Sequence, residues 1–338
     1  MHNYIGVDAH SKSCMFVVID GRGREKLARR IKTSESEILK VVRSIQGKKY
    51  LTFEESHLSK WLHVLLKDEV DKLVVCDPRY ITRRRGTKDD YPDTVHLAQQ
   101  LRGNFLVSVF HEDNFFSSLR GEVSAYDDLV RELTRAKNRY KALFRSEARD
   151  TEGSSIYHDQ ARIAELTRES DQFVAKGLFE QVAMYEGLRA QYRKRFEAFG
   201  QRYPEIRALS TIPGISSVRA CFIGAIICSP FRFADKYKFW AYCRLVKYTD
   251  KSDDVVYGKR NTPGNRLLNS IFMGAAQTIL QKSLDLRVYY DEQRKNDVDH
   301  KAAKKNLARK IAAIALAIMR TKKPYNLSLA IEGKTKSA

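Results

Sequence analysis

Four acidic residues occupy positions where they could share metal ions. Asp8 and Glu54 each directly follow a short apolar run, and Asp90 and Asp93 lie three residues apart at a predicted helix start. Carboxylate oxygens are the ligands that Mg²⁺ and Mn²⁺ prefer, and four acids could hold two such ions. A pair of divalent ions activates a nucleophile and stabilises the leaving oxygen at a phosphodiester. The four acids therefore predict a metal-dependent site that acts on phosphodiesters.

Each acid also has a plainer interpretation. Asp8 could end a strand, Glu54 could be solvated, and Asp90 with Asp93 could be the N-cap and N3 residues of a helix. Alternation along the strand puts Glu54 on the opposite face from Phe53, but alternation alone does not say which face holds a site. Three adjacent acids leave the assignment open: Glu55, Asp77 and Asp89.

Strand and helix patterns alternate through residues 1–110, the first predicted domain. Ser34 and Glu37 form a predicted capping box before a helix that Gly47 ends. Three early strands joined by hairpins, followed by alternating helices and strands, imply a mixed sheet with helices on its faces, as in the RNase H-like (RuvC-like) fold. The predicted strands cover residues 4–7, 14–19, 27–31, 50–53 and 72–76, and later helices cover residues 57–66 and 93–101.

Two long helices make up the second predicted domain, residues 111–200. Apolar residues recur every three or four positions, which predicts a coiled-coil hairpin or helices that pair with a second protomer. We expect a homodimer or homotetramer, and an ordinary helical bundle is the alternative. The connection is predicted at residues 153–155. The seam consists of Leu119, Val123, Tyr126, Val130, Leu133, Tyr140, Phe144, Val174, Leu178, Val182, Tyr185, Leu188, Tyr192, Phe196 and Phe199.

The third predicted domain, residues 201–330, is mostly α-helical. The turn Ile-Pro-Gly-Ile at residues 212–215 precedes an apolar helix at 218–227, a pattern typical of a helix-hairpin-helix element. Gly214 would let backbone N–H groups approach a phosphate of a nucleic acid. The alternative is an ordinary turn between two helices.

The charge of the chain favours a phosphate-rich partner. There are 61 Lys and Arg residues against 41 Asp and Glu residues, which gives a formal net charge of +20. Such a field attracts polyanions at long range. Two basic groups could contact a nucleic-acid backbone, although each residue alone could be solvated surface. They are Arg79, Arg83, Arg84, Arg85 and Lys88 near the acids, and Lys259, Arg260 and Arg266 later in the chain.

A membrane partner is not expected. No apolar stretch approaches the roughly 18 residues of a spanning helix, and the start of the sequence does not resemble a signal peptide. The five cysteines contain no Cys-x-x-Cys pair, which argues against a disulfide framework or a zinc ribbon. We expect a soluble, cytoplasmic, nucleoid-associated protein with free thiols.

The order and spacing of these motifs resemble the DEDD transposases of the Piv invertase kind. These are insertion-sequence recombinases with a RuvC-like domain, and their characterised members are guided by a bridge RNA. The resemblance covers nearly the whole chain. It rests on Tyr-Ile-Gly-Val-Asp at residues 4–8 with Lys12, the apolar run before Glu54, Lys-Asp-Asp-Tyr-Pro-Asp at 88–93, Ile-Pro-Gly-Ile at 212–215, Gly-Asn-Arg-Leu-Leu at 264–268, and Ala-Arg-Lys-Ile-Ala at 308–312.

The resemblance implies a composite site. Its four acids, here Asp8, Glu54, Asp90 and Asp93, would hold metal, and a serine in the C-terminal domain would attack DNA to leave a covalent phosphoserine. Ser252 is the residue in the corresponding region, with Thr249 as the substitute; relatives usually have a Ser-Ser-Gly run there. A serine hydroxyl is a poor nucleophile at neutral pH, so it needs a metal or a base nearby.

Three hypotheses for function remain. The first is a DNA transposase or site-specific recombinase that works on double-stranded DNA through a phosphoserine, with a guide RNA that the resemblance implies. The second is a RuvC-like junction resolvase or nuclease that uses water and does not need Ser252. The third is a nucleic-acid-binding protein without catalysis, whose binding would survive loss of the acids.

Overall fold

A computed structural model describes residues 1–81, 89–252 and 255–327 of the chain. The chain divides into two compact units, of which the first covers residues 1–113 and the second begins at residue 114. Each unit has its own hydrophobic core. The division into three domains stays a prediction.

A five-stranded mixed sheet forms the centre of the first unit. Its strands, in the spatial order β3-β2-β1-β4-β5, confirm the mixed sheet and the predicted order of elements. β1 pairs antiparallel with β2 and parallel with β4; β2 and β3 are antiparallel, and β4 and β5 are parallel. The strands are β1 (His2–Ala9), β2 (Ser13–Asp20), β3 (Glu25–Lys32), β4 (Lys48–Glu54) and β5 (Lys72–Cys76).

Helices cover both faces of this sheet. Helices α1 (Glu35–Ser44) and α2 (Ser59–Leu66) pack on the face that buries Ile5, Val7 and Phe53. Helix α3 (Asp90–Arg102) packs over β1, β2 and β4, on the face that buries Met15, Val17 and Ile19. Side chains alternate between faces along a strand, so Gly6 and Asp8 lie on the α3 face.

The capping box predicted before α1 is only half formed. The Ser34 Oγ atom accepts a hydrogen bond from the Glu37 backbone N–H at 3.5 Å. The Ser34 N–H donates to the carbonyl of Lys32 at 2.9 Å, which takes the place of the Glu37 side chain as its partner. The predicted helix end is confirmed, because Gly47 has a φ of +86° just after α1.

Two long antiparallel helices begin the second unit, α4 (Phe115–Ser146) and α5 (Glu169–Arg202). Tyr126 contacts Phe196 near one end of the pair, and Tyr140 contacts Phe179 near the other. The hairpin is therefore closed within one chain. Most seam residues are buried or half-buried as predicted, but Val174 and Leu188 are exposed, and Ala175 is buried next to Val174.

The rest of the second unit is a helical cluster with one hairpin. A buried core joins its helices to the adjoining ends of α4 and α5. The antiparallel hairpin, which the sequence did not reveal, consists of β6 (Lys247–Ser252) and β7 (Val255–Asn261). The helices are α6 (Pro204–Ser210), α7 (Ser217–Ile227), α8 (Lys236–Tyr242), α9 (Arg266–Lys282), α10 (Arg287–Lys295) and α11 (His300–Thr321).

The cysteine side chains lie inside the fold, as free thiols. All five cysteines are buried, and they form no disulfide bond. Burial raises the pKa of the Cys76 thiol to about 11, so that thiol is protonated and unreactive near neutral pH. Among the described residues, no helix combines the length and the apolar character that crossing a bilayer requires.

Candidate active site

The register of two central strands places Asp8 and Glu54 side by side. β1 and β4 are parallel neighbours, and Val7 pairs with Phe53. Asp8 and Glu54 are the next residue on each strand. Both point away from the core that buries Val7 and Phe53, toward the face that α3 covers. The structure therefore selects Glu54 rather than Glu55 for this face.

Gly6 brings α3 directly against β1. A Cβ atom built at Gly6 would lie 2.4 Å from the carbonyl oxygen of Thr94 and 2.9 Å from the backbone nitrogen of Ala98. Only glycine fits this contact. Asp8 lies two residues beyond Gly6 on the same face, and Asp90 lies one helical turn before Thr94. The close packing of a strand and a helix thus brings the two carboxylates together.

The first turn of α3 leaves Asp90 free for the site. The interpretation of Asp90 as the N-cap is wrong, because Asp89 is the N-cap and its carboxylate accepts from the Tyr91 N–H at 3.4 Å. Asp90 is the first helical residue, and Asp93 follows on the same side of the helix. The Tyr91 hydroxyl donates to the Glu25 carboxylate at 2.6 Å, which fastens the start of α3 to the start of β3.

The side chains of His10 and Arg30 contact Asp8 and Asp90 directly. His10 Nε2 lies 3.2 Å from Asp8 Oδ2 and 3.8 Å from Asp90 Oδ1. Arg30 Nη1 lies 2.9 Å from Asp90 Oδ2. Asp8 pairs with Met15 on β2, and Met15 pairs with Arg30 on β3, so the three residues form a row across the sheet.

The environment of Asp8 disfavours its charged form. Burial is the main cause that raises the pKa of this carboxyl, and the negative charges of Asp90 and Asp93 add to it, whereas His10 acts in the opposite direction. Asp93 lies one turn after Asp90 on α3 and contributes least among these causes. A cation at this position would offset the repulsion among the three carboxylates.

The neighbouring acids have other partners. The Glu55 carboxylate lies 2.5 Å from His111 Nε2. Asp77 caps a short 3₁₀ turn and pairs with Arg79, which lowers the pKa of the Asp77 carboxyl. Asp89 has a structural role as well, because it caps α3. These contacts distinguish Glu55, Asp77 and Asp89 from the four acids that the sequence singled out.

The donors at this site suit a divalent ion. Carboxylate oxygens of Asp8 and Asp90 and a ring nitrogen of His10 all lie within 4.8 Å of one another. Oxygen ligands with one imidazole suit Mn²⁺, and oxygen ligands alone suit Mg²⁺. In the described part of the chain this cluster does not include Glu54 or Asp93, although Glu54 shares its sheet edge and the charge of Asp93 reaches Asp8.

The candidate nucleophile lies on the hairpin of the second unit. Ser252 is the last residue of β6, and its backbone pairs with Val255 of β7. Thr249 pairs with Lys259, and Tyr248 pairs with Arg260, so both predicted basic residues of β7 lie on this hairpin. Residues 253 and 254 lie outside the described residues.

The Gly-Asn-Arg segment presents Arg266 at the start of a helix. A Cβ atom at Gly264 would lie 2.3 Å from the Tyr242 carbonyl oxygen, to which the Asn265 N–H donates at 2.7 Å. The Asn265 side chain caps α9 by accepting from the Leu268 N–H at 3.0 Å. Arg266 is therefore the first residue of α9, and it is exposed.

The Pro-Gly turn is fixed by packing. Gly214 has a φ of +80°, and a Cβ there would lie 2.7 Å from the Ala275 carbonyl oxygen. Its own carbonyl accepts from Arg219, which also contacts Thr278 of α9. These contacts require glycine for structural reasons, and phosphate binding at Gly214 stays a prediction.

Of the five predicted basic residues near the acids, Arg79 lies within the described residues. Arg83, Arg84, Arg85 and Lys88 lie outside the described residues. The Arg79 guanidinium donates to the Asp77 carboxylate, with Nε 2.9 Å from Oδ1. Contact between this group and a nucleic acid stays a prediction.

Three residues of the site were not identified from the sequence. His10 and Arg30 were not singled out, because nothing in their local sequence signals contacts that only folding creates. Gly6 had a usable signal, because a glycine inside a predicted strand often marks a close approach of another backbone.

Comparison with known families gives two matches. A family model for DEDD transposases of the IS110 type, described as a transposase, matches residues 5–147. A second model, described as transposase of the IS116/IS110/IS902 family, matches residues 206–291. The first range contains all four acids, and the second contains Gly214, Ser252 and Arg266. No match was found among curated proteins.

Proposed function

The chain belongs to the IS110 family of transposases, whose two models together match about two thirds of it, and we propose that it cuts and rejoins DNA through a covalent phosphoserine at Ser252. The family supports an insertion-sequence transposase that acts on DNA and a divalent metal at its acidic site. We propose Mg²⁺ or Mn²⁺ as that metal, and a cytoplasmic, nucleoid-associated location near the substrate.

The contact of Asp8, His10 and Asp90 is the observation that carries this proposal. Their donor atoms lie within 4.8 Å of one another in the part of the chain that matches the DEDD transposases. The raised pKa of Asp8 is what a carboxyl shows when it is buried near other negative charges. Such an arrangement is costly for folding alone and suits a cation-binding site.

Each residue has a defined part in the proposed reaction. Asp8, Glu54, Asp90 and Asp93 would hold the metal, with His10 beside two of them. A divalent ion there supplies positive charge for the attacking and leaving oxygens of a phosphodiester. Arg30 neutralises Asp90 at 2.9 Å and would offset the repulsion between the carboxylates and DNA.

The serine step conserves the energy of the broken bond. The Ser252 Oγ loses its proton and forms a bond to phosphorus, while the bond from phosphorus to the oxygen of the departing strand breaks and that oxygen gains a proton. Rejoining reverses both changes with a strand hydroxyl as the nucleophile. No ATP is needed, because one phosphodiester replaces another.

A guide RNA and a dimer or tetramer complete the proposal. A protein with many backbone contacts and few base readers would obtain its target choice from base pairing, by analogy with other RNA-guided systems. In an oligomer, the acids of one protomer could meet the serine of another.

The test is a search for a protein–DNA adduct. Purified protein would be mixed with Mg²⁺, labelled DNA that carries the ends of the element flanking the gene, and RNA transcribed from its noncoding flank. The products would be separated on a denaturing gel. We expect an adduct with the native protein, and none with Ser252→Ala or Asp8→Asn.

The variants also separate the alternatives. Thr249→Ala controls for the choice of nucleophile, because Thr249 lies on the same strand. Cleavage without an adduct that needs Asp8 but not Ser252 would establish a water-using nuclease. DNA binding without cleavage, unchanged by Asp8→Asn, would indicate a binding protein without catalysis.

A further inference from the structure

Two cationic side chains of α11 lie close to the start of β6, whose first residue is Lys247. Lys305 and Arg309 lie one turn apart on α11, on the same side of that helix. Arg309 Nε donates to the Leu245 carbonyl at 2.9 Å, two residues before Lys247. The contact fixes the cationic face of α11 against the segment that leads into the Ser252 strand.

Two contacts hold the guanidinium of Arg309, and a third holds its backbone. Besides its bond to Leu245, its Nη1 donates to the Asn306 side chain at 2.8 Å, and its backbone carbonyl accepts from the Trp240 indole N–H at 2.9 Å. Asn306 is itself held by Gln293 of α10 at 2.6 Å. A guanidinium ordered in advance loses little entropy when it binds an anion.

Lys305 is half-buried beside other cations. Burial lowers the pKa of its ammonium group, and the positive charges of Arg309 and Lys247 lower it further. Burial also lowers the pKa of the Arg309 guanidinium. Like charges brought together at a partly buried position are destabilising until an anion joins them.

An exposed aromatic ring lies close to Arg309 in the fold. Tyr237 is 61% exposed and contacts the ring of Trp240, the residue that bonds to the Arg309 carbonyl. Exposed rings beside cations are typical of surfaces that bind nucleic-acid strands, because bases stack on rings while phosphates contact the cations.

We infer, on the basis of the proposed function, that Lys247, Lys305 and Arg309 bind one backbone phosphate of a nucleic acid at the base of the Ser252 hairpin. This phosphate contact fixes the position of the strand relative to β6. The site reads no sequence, because it contacts only the backbone. Both duplex DNA and an unpaired RNA strand carry the required phosphodiester.

The salt dependence of binding tests this site. The full-length protein, without divalent metal, would be titrated against labelled duplex DNA and labelled single-stranded RNA over a range of KCl concentrations. Lys305→Gln should lower the slope of log affinity against log salt by about 1 for the ligand whose phosphate it contacts. The ligand that shows the change identifies the strand bound there.

Lys304→Gln is the matched control. It removes the same charge one residue earlier on α11, where Lys304 donates to Gln277 of α9 at 2.5 Å. The control should leave both slopes unchanged. Equal slopes for native protein and Lys305→Gln on both ligands, or an equal loss in the two variants, would overturn the inference.

Failure of this site and failure of the proposed function are distinguishable. Binding is measured without metal, so it does not depend on the four acids. An adduct with native protein together with an unaltered Lys305→Gln slope would remove only the phosphate site. A lower slope without any adduct would leave the phosphate site and remove the recombinase.

Discussion

Glu54 and Glu55 are adjacent in sequence but have different surroundings. A substitution of Glu55 is therefore a control for a substitution of Glu54. Glu54 lies on the face that α3 covers, whereas Glu55 pairs with His111. Glu54→Gln should reduce adduct formation by more than the roughly 10–100-fold that loss of an outer-shell partner costs. Glu55→Gln should retain most activity. Rates of adduct formation under Mg²⁺ give the comparison, and equal losses would contradict the assignment of Glu54.

The close packing of α3 on β1 requires that position 6 carry no side chain. Gly6→Ala puts a methyl group within 2.4 Å of the Thr94 carbonyl and should push α3 away from β1. We expect a loss of about 1–3 kcal/mol in the free energy of unfolding. Metal binding should weaken too, because Asp90 moves with the helix. Chemical denaturation and Mn²⁺ titration would measure both effects.

Gly177→Ala is the control for this substitution. Gly177 lies inside α5, and a Cβ there meets no atom within 4 Å. Alanine at that position should stabilise the protein by up to about 1 kcal/mol, since glycine is a poor helix former. Destabilisation of similar size in both variants would mean that the contact between Gly6 and α3 does not explain the loss of stability.

The sequence singled out the four acids but not the residues that contact them. Asp8 and Glu54 could be predicted because each follows an apolar run, a local pattern. Arg30 could not, because its contact with Asp90 forms only when β3 and α3 are placed on the same sheet. The choice between Glu54 and Glu55 likewise required the register of β1 with β4.

The turn between β2 and β3 depends on one carboxylate. Asp20 accepts from the backbone N–H groups of Arg24 and Arg22, and these bonds lower the pKa of its carboxyl below the ordinary 3.8. A lowered pKa means that the folded protein gains stability above pH 3.8 and loses it as the pH falls through the folded-state value. Asp20→Asn should therefore be less stable than native protein at neutral pH.

Urea denaturation at two pH values checks this sign. The difference between native protein and Asp20→Asn should be present near pH 7 and should shrink as the pH falls below 3.8 toward the lowered pKa of the folded state. A difference that stays constant with pH would show that the asparagine acts through packing and not through charge.

The Asn265 side chain caps the start of α9, directly after the tight contact that Gly264 makes. Asn265→Ala removes the acceptor for the Leu268 N–H and should cost about 1 kcal/mol of folding stability. Ser270→Ala is the control, because Ser270 is exposed on the same helix, where its hydroxyl donates to the Arg266 carbonyl. Thermal unfolding would compare the two, and an equal change would contradict a role for the cap.

The β6–β7 hairpin shows where element prediction failed. Its strands are rich in charged residues, so the alternation of apolar and polar residues that marks a strand is weak. The helices α4 and α5 were predicted well because their seam extends over many turns. Long periodic patterns are informative, whereas short polar strands are defined by their pairing partner.

The whole molecule has an apolar row that its own chain leaves exposed. On the face of α5 away from α4, Phe173 is 79% exposed and Met184 is 53% exposed, and Leu188 lies near the same line. A second copy of the chain would cover this row in the proposed dimer. Phe173→Glu with Met184→Glu should shift the protein to monomer, as measured by light scattering.

Ala183→Glu is the control for that pair of substitutions. Ala183 is exposed but lies about 100° around the helix from Met184. It should leave the oligomeric state unchanged. A monomeric native protein, or a dimer that survives the double substitution, would rule out pairing through this row.

Gly6 also offers a way to judge copies of the gene. Intact codons for the four acids in a copy of the gene do not by themselves show that α3 still packs against β1 in its product. The 2.4 Å approach of Thr94 means that codon 6 carries comparable weight. A copy with all four acids but any other residue at position 6 would encode a protein whose acids are present but out of place, and we expect that copy to be immobile.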